Sequence, residues 1–200
     1  MAKKAKRGVT GGVTPKIARF SPPETIAKTM ENCQELILED VIRIDIYKQN
    51  KVTFSVPFNA PAVIEAEGVA SGNPVLSIHT SETDAADVMM ESAPKLQVTE
   101  KREAAGLVRS HVIEAVVATH FKTAQASVDN LIYRDIVAIM TCYDGTRLAV
   151  IPFPNTSTLS MTDNRQESHT MTVRYAAQSF SGLVKLTSWS QDSSSSTSSD

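Results

Sequence analysis

Residues 132–151 read IYRDIVAIMTCYDGTRLAVI, two apolar segments rich in β-branched residues on either side of Asp144-Gly145. An Asp-Gly pair in this position favours a β-hairpin with a type I′ turn, because both central residues of that turn take positive φ angles. Further along, residues 170–175 alternate cleanly between apolar and polar side chains. We expect Met171, Val173 and Tyr175 on one face of a strand. Together these patterns predict a sheet with one solvated face.

A second hairpin is predicted in the first half of the chain. Residues 41–47 and 52–58 both alternate, and the polar residues 48–51 connect them. A connection of this length between two alternating segments is typical of a β-hairpin. Pro57 is expected at a strand end, since proline cannot donate a ladder hydrogen bond. We expect this hairpin to project from the sheet.

The remaining segments add more strands and one or two short helices. Short strands are expected at 62–69, 75–78 and 96–99, and a long one at 107–118 after a turn at Gly106. Helical spacing predicts a helix near 124–135, and a second helix is expected at 83–91. The fold class is therefore mainly β, a barrel or sandwich built from antiparallel hairpins. The predicted core includes Ile44, Phe54, Leu131, Ile139, Leu148 and Val173.

Composition divides the chain into three parts. Residues 1–23 are predicted to be a flexible basic arm, 24–189 a β-rich assembly domain, and 190–200 a disordered Ser-rich tail. The net charge is −2, yet six of the 20 basic residues precede the first acidic residue, Glu24. The remainder therefore carries 14 basic against 22 acidic residues. A basic arm on an acidic body favours contact with an acidic partner surface or, non-specifically, with DNA.

Chemistry-bearing patterns are few. The four histidines, His79, His111, His120 and His169, lie in separate segments without zinc-ligand spacing, and His111 is expected on a solvated face. Nucleophile-elbow and phosphate-loop motifs are missing. We therefore expect no enzyme activity, no metal and no cofactor.

The number of cysteines and the length of the apolar segments indicate the cellular compartment in which the protein is made. Cys33 and Cys142 are expected to be free thiols, as in a reducing compartment. No secretory signal and no membrane-spanning run is recognised. We expect a soluble protein made in a cytoplasm, without membrane contact.

The order of elements over about 95–186 resembles a known assembly unit. The predicted order begins with a strand ending in residues 99–103, a turn at Gly106 and a long strand. A short helix, the Asp144-Gly145 hairpin and a last alternating strand come next. This order is similar to the sheet-plus-helix unit of bacteriophage tail-tube, distal-tail and related baseplate or ring proteins. The resemblance implies a tail-tube-like β-barrel or sandwich that forms homo-oligomeric rings, commonly hexamers or dodecamers, in a virion. It carries over no catalytic residue.

An assembly protein would bind its neighbours through specific side chains, and three other functions fit the same sequence. The expected partners are neighbouring copies and other tail or capsid proteins, reached through basic side chains at Lys3, Lys4, Lys6, Arg7, Lys48, Lys51 and Arg102. One rival is an icosahedral coat protein whose basic arm contacts nucleic acid. Another is a non-viral β-sandwich binding module, for example for carbohydrate, although the sole tryptophan, Trp189, stands beside the Ser-rich tail. A small enzyme with an unrecognised site is the third.

Overall fold

The computed structural model describes residues 32–80, 88–104, 106–118, 135–163 and 170–192. These ranges contain β-strands and a single 3-10 turn at Gln49–Lys51, and no α-helix. The prediction of a mainly β fold is confirmed. The strands are β1 Asn32–Ile37, β2 Val41–Lys48, β3 Val52–Phe54, β4 Glu65–Ser71, β5 Leu76–His79, β6 Val88–Met89, β7 Lys95–Glu103, β8 Gly106–Ala118, β9 Ile136–Cys142, β10 Arg147–Ala149, β11 Thr158–Asp163, β12 Thr170–Ser179 and β13 Val184–Asp192.

The strands form two sheets. The five-stranded sheet has the order β1-β7-β8-β12-β11, and every neighbouring pair in it is antiparallel. The eight-stranded sheet has the order β3-β4-β13-β10-β9-β2-β5-β6. It is mixed, because β4 runs parallel to β13 and β5 runs parallel to β6.

A first hydrophobic core fills the space between the two sheets. On β12 the predicted alternation is confirmed: Met171, Val173 and Tyr175 are buried, whereas Arg174 is exposed. They pack against residues of the eight-stranded sheet that include Ile44 and Met140. The Tyr175 hydroxyl crosses the core and donates to the Ile136 carbonyl oxygen at 3.4 Å. Burial of the two apolar faces is the main force that holds the layers together.

A second core lies on the opposite face of the eight-stranded sheet. Ile136, Ala138 and Met140 of β9 belong to the first core, whereas Val137 and Ile139 belong to the second. Strand β9 is therefore buried on both faces, which explains its continuous apolar run. The second core also holds residues from β3, β4 and β13, at the far end of the sheet from β2.

The segment around β6 joins the two sheets. Val88 and Met89 pair with β5, and the next residue, Met90, makes a bridge to Val117 of β8. This part of the predicted helix at 83–91 is wrong. Val88 and Met90 are both buried and Met89 between them is less so, which is the period of two of a strand. In sequence the three are consecutive apolar residues, and such a short run does not distinguish a strand from a helix. Residues 83–87 lie outside the described residues.

The Asp144-Gly145 hairpin is confirmed, but its turn type is wrong. Strands β9 and β10 pair antiparallel around it. Gly145 has a φ of 82°, whereas Asp144 is not among the residues with positive φ. The Cys142 N–H donates to the Thr146 carbonyl oxygen at 2.8 Å, and the Gly145 N–H donates to the Cys142 carbonyl oxygen at 2.9 Å. This is a three-residue loop with a left-handed glycine rather than a two-residue type I′ turn.

The predicted hairpin between 41–47 and 52–58 is wrong. Strand β2 pairs with β5 on one side and β9 on the other, so it has no free edge for β3. Strand β3 pairs instead with β4, at the opposite end of the eight-stranded sheet. The segment does not project either, because Ile44, Tyr47 and Phe54 are buried.

The core prediction is mostly confirmed within the described residues. Ile44, Phe54, Ile139 and Val173 are buried, and Leu148 is half-buried against the first core. Leu131 and the predicted helix at 124–135 lie outside the described residues, except for Asp135. Strand β13 continues to Asp192, three residues past the expected end of the domain at 189. The basic arm at 1–23 is also outside the described residues.

Candidate functional site

A row of polar side chains crosses four neighbouring strands of the eight-stranded sheet. His79 of β5 is paired with Arg43 of β2, Arg43 with Thr141 of β9, and Thr141 with Arg147 of β10. Paired residues on adjacent strands share one face of a sheet, so these four side chains form one polar row. All four line an open cleft of about 680 Å³. The polar row is thus the floor of a polar cleft.

One end of the polar cleft is organised by a buried carboxylate. Asp45 is buried, and its carboxylate oxygens accept a hydrogen bond from Arg43 Nε at 2.7 Å and one from the Ser77 hydroxyl at 2.5 Å. Asp45 pairs with Ser77 across β2 and β5, which places the two side chains side by side. Charge-assisted hydrogen bonds of this kind fix the orientation of both the carboxylate and the guanidinium.

The other end of the polar row carries a guanidinium without a partner among the described residues. Arg147 is half-buried, and its side chain makes no hydrogen bond and no ion pair with that part of the chain. Two strand spacings separate it from Arg43, so their Cα atoms lie about 10 Å apart. The five N–H donors of its guanidinium are therefore open to the polar cleft.

An aromatic pair forms part of the wall of the polar cleft. Trp189 of β13 lines the cleft and contacts Tyr47 edge to face, with ring centroids 5.6 Å apart. Burial, together with the nearby Asp45 carboxylate, raises the pKa of Tyr47 to about 12. Tyr47 therefore stays a neutral phenol at physiological pH. Trp189 stands beside the Ser-rich tail in the sequence, and the structure places it half-buried in β13, where it lines this cleft.

The five-stranded sheet ends in two strands that each have one free edge among the described residues. Strands β1 and β11 are each six residues long, and each has a single partner among the described strands, β7 and β12 respectively. The eight-stranded sheet ends instead in β3 and β6, which have three and two residues. Short terminal strands are a common protection against sheet extension, and the five-stranded sheet lacks that protection.

Of the predicted contact residues that the structure describes, Lys48 and Lys51 lie at the same turn and Arg102 lies on the other sheet. Lys48 is half-buried at the end of β2, and Lys51 is exposed in the 3-10 turn. Arg102 is exposed near the end of β7, in the other sheet. Lys3, Lys4, Lys6 and Arg7 lie outside the described residues. The polar row was missed because its four members are far apart in sequence, and only the strand order makes them neighbours.

His111 corrects another expectation. It was predicted on a solvated face because its sequence neighbours are polar, yet it is 0% exposed. On β8 the inward positions are 111, 113, 115 and 117, so His111 continues an apolar face. Burial lowers the pKa of its imidazole.

Within the described ranges no three His, Cys, Asp or Glu side chains lie close enough to hold a metal ion. No helix in the same part of the chain is long and apolar enough to cross a membrane. Comparison of the chain with protein-family models, with curated proteins and with solved structures finds no match in any of the three.

Proposed function

We propose that this protein is a structural subunit of a bacteriophage virion, a component of a tail, baseplate or connector ring that acts through oligomeric assembly and not as an enzyme. The observation that carries the proposal is the pair of terminal strands of the five-stranded sheet, β1 and β11, each of which has one free edge among the described strands. Exposed strand edges bind other strands through main-chain hydrogen bonds, and assembly proteins use this mode of contact.

The sequence of the two edges supports the same proposal. Neither Asn32–Ile37 nor Thr158–Asp163 contains a lysine, an arginine or a proline, and each has a single charged residue, Glu35 in β1 and Asp163 at the end of β11. Strand β11 also pairs with β12 over six consecutive residues without a bulge. A regular edge of this length, with one charged residue at its end, suits pairing with a second copy.

The ring form of the assembly rests on the resemblance over 95–186 and on the unlike edges. When two different surfaces of one subunit meet head to tail, a rotation that closes gives a ring. A hexamer or dodecamer whose adjoining sheets complete a tail-tube-like barrel is the proposed arrangement. The subunit would be made in the host cytoplasm and reside in the virion beside other tail or capsid proteins.

The test is the oligomeric state of the full chain, measured by light scattering after size exclusion and by negative-stain imaging. We expect rings, and we expect Ser160→Lys on β11 to reduce them strongly, because a charge on the edge opposes pairing. Gln178→Lys is the matched control, since Gln178 is exposed on β12, inside the same sheet. A full chain that stays monomeric, or closed spherical shells in place of rings, would contradict the proposal.

A further inference from the structure

We propose that the polar cleft binds an acidic sugar, a hydroxylated ring that carries one carboxylate or sulfate group. The cleft lies on the eight-stranded sheet, away from the open edges of the five-stranded sheet. The inference therefore goes beyond the proposed assembly and does not depend on it.

The charge of the polar cleft favours a single oxyanion. Arg43 and Arg147 contribute two positive charges, and Asp45 contributes one negative charge. Asp45 is already paired with Arg43, whereas Arg147 has no ion pair with any described residue. A guanidinium binds a carboxylate or sulfate through two parallel hydrogen bonds. One unpaired arginine matches one such group, whereas a polyphosphate would face the Asp45 carboxylate with too little positive charge.

The other groups suit the hydroxylated part of a sugar. The Thr141 hydroxyl lies between the two arginines in the polar row and both donates and accepts hydrogen bonds. At the rim, Gln191 Nε2 contacts Gly72 O at 3.3 Å and Asn73 Oδ1 at 3.2 Å, which holds its amide beside the cleft. Trp189 adds an apolar ring to the wall.

The dimensions and rigidity of the cleft agree with such a ligand. A volume of about 680 Å³ lies within the range of small-molecule sites, which is about 300–1,000 Å³. The floor consists of paired strands, and Asp45 is fixed by two donors. A rigid site loses little entropy when it binds a small ligand.

The test uses the full chain and titrates glucuronate, N-acetylneuraminate and glucose 6-sulfate, followed by calorimetry and by the fluorescence of Trp189, the sole tryptophan. We expect at least one of the three to bind. Glucuronate and N-acetylneuraminate test a carboxylate as the bound group, and glucose 6-sulfate tests a sulfate. Glucose, acetate and AMP are the comparison ligands. Equal binding of glucose or acetate, tighter binding of AMP, or no binding of any acidic sugar would overturn the proposal.

Substitutions in the polar row test whether the acidic sugar binds there. We expect Arg147→Gln to weaken binding about tenfold or more, because a hydrogen bond to a charged group is lost. Thr141→Val, which keeps the shape of the side chain, should weaken it less. Arg174→Gln is the matched control, since Arg174 is an exposed arginine on the other sheet that pairs with Glu114. Unchanged affinity in an Arg147→Gln protein of parental melting temperature would also overturn the proposal.

Discussion

His111 of β8 and Ser179 of β12 share a hydrogen bond of 2.9 Å between Nε2 and Oγ in the interior of the protein. The Ser179 hydroxyl donates to the Ser181 carbonyl oxygen at 2.6 Å, so it must accept from His111. The imidazole is therefore protonated on Nε2, and its Nδ1 is buried with no hydrogen-bond partner among the described residues. A second proton on Nδ1 would place a charged N–H where no acceptor receives it.

We predict that acid destabilises the fold through His111. Its folded pKa lies below the ordinary value of 6.5, chiefly because of burial, so the unfolded chain binds more protons than the folded one below about pH 6.5. Stability is full above this value and falls as the pH drops toward the lowered pKa, by up to about 1.4 kcal/mol per pH unit. Urea unfolding between pH 7.5 and 5 measures the slope. His111→Gln should flatten it, and an equal slope in that variant would contradict the prediction.

Gly68 is predicted to be essential for the packing of Trp189. A Cβ added to Gly68 would lie 2.7 Å from Trp189 Cε3 and 2.9 Å from Cζ3. Because the Trp189 ring also contacts Tyr47, we expect Gly68→Ala to cost about 1–3 kcal/mol, as overpacking usually does. Chemical denaturation measures the loss. Gly182→Ala is the control, since nothing lies within 4 Å of its added Cβ, and equal stability of the two variants would contradict this packing.

The second core is predicted to contribute strongly to stability. Ile139 is 1% exposed and packs on the face of β9 opposite to the first core. Ile139→Ala should cost about 2–5 kcal/mol, because it leaves a cavity in addition to the lost transfer free energy. Ile64, 82% exposed, is the control, and Ile64→Ala should change stability by less than about 0.5 kcal/mol. A small loss at Ile139 would mean that the second core is loosely packed.

Local patterns predicted the strands better than their partners. The alternation of Met171, Val173 and Tyr175 specifies a strand and its buried face, and both are confirmed. The alternation of β2 and β3 is also real, but alternation does not say which edges pair, and β2 is enclosed by β5 and β9. A bulge between Val41 and Arg43 places Val41, and not Ile42, in the first core beside Ile44 and Ile46.

The candidate site was harder to predict for the same reason. Arg43 and Arg147 are 104 positions apart, and they line one cleft because β9 joins β2 and β10 side by side in the sheet. Their spacing in sequence carries no signal. His111 shows the converse error, since its polar neighbours suggested exposure while its position in the alternation of β8 placed it inside.

The glycine of the β9–β10 turn is predicted to be conformationally required. Gly145 has a φ of 82°, and no atom lies within 4 Å of an added Cβ, so only the backbone conformation opposes a side chain. We expect Gly145→Ala to cost about 1–2 kcal/mol, the penalty of a left-handed L-residue. Gly145→Asn should cost less, because asparagine tolerates this conformation better. Melting temperatures compare the two, and an alanine variant as stable as the parent would contradict the prediction.

The direction of the edge strands distinguishes a ring from a two-fold dimer. Five antiparallel strands alternate in direction, so β1 and β11 run the same way. Ring contacts between β11 of one copy and β1 of the next would therefore be parallel, whereas a two-fold contact would pair β11 with β11 antiparallel. Cysteines placed in turn at Thr158, Ser160 and Thr162, all exposed on one face of β11, can report which contact forms under oxidation.

With Cys142→Ser as background, we predict that at least one of these cysteines forms a disulfide with Cys33 on β1 of the next copy. Each copy then carries one cysteine on β11 and one on β1, and the two form disulfides with different neighbours. Non-reducing electrophoresis should therefore show a ladder of dimers, trimers and larger species. Adding Cys33→Ser should remove the ladder. Dimers that persist without Cys33 and never extend would indicate the two-fold contact instead, because β11 alone would then supply both cysteines of each bond.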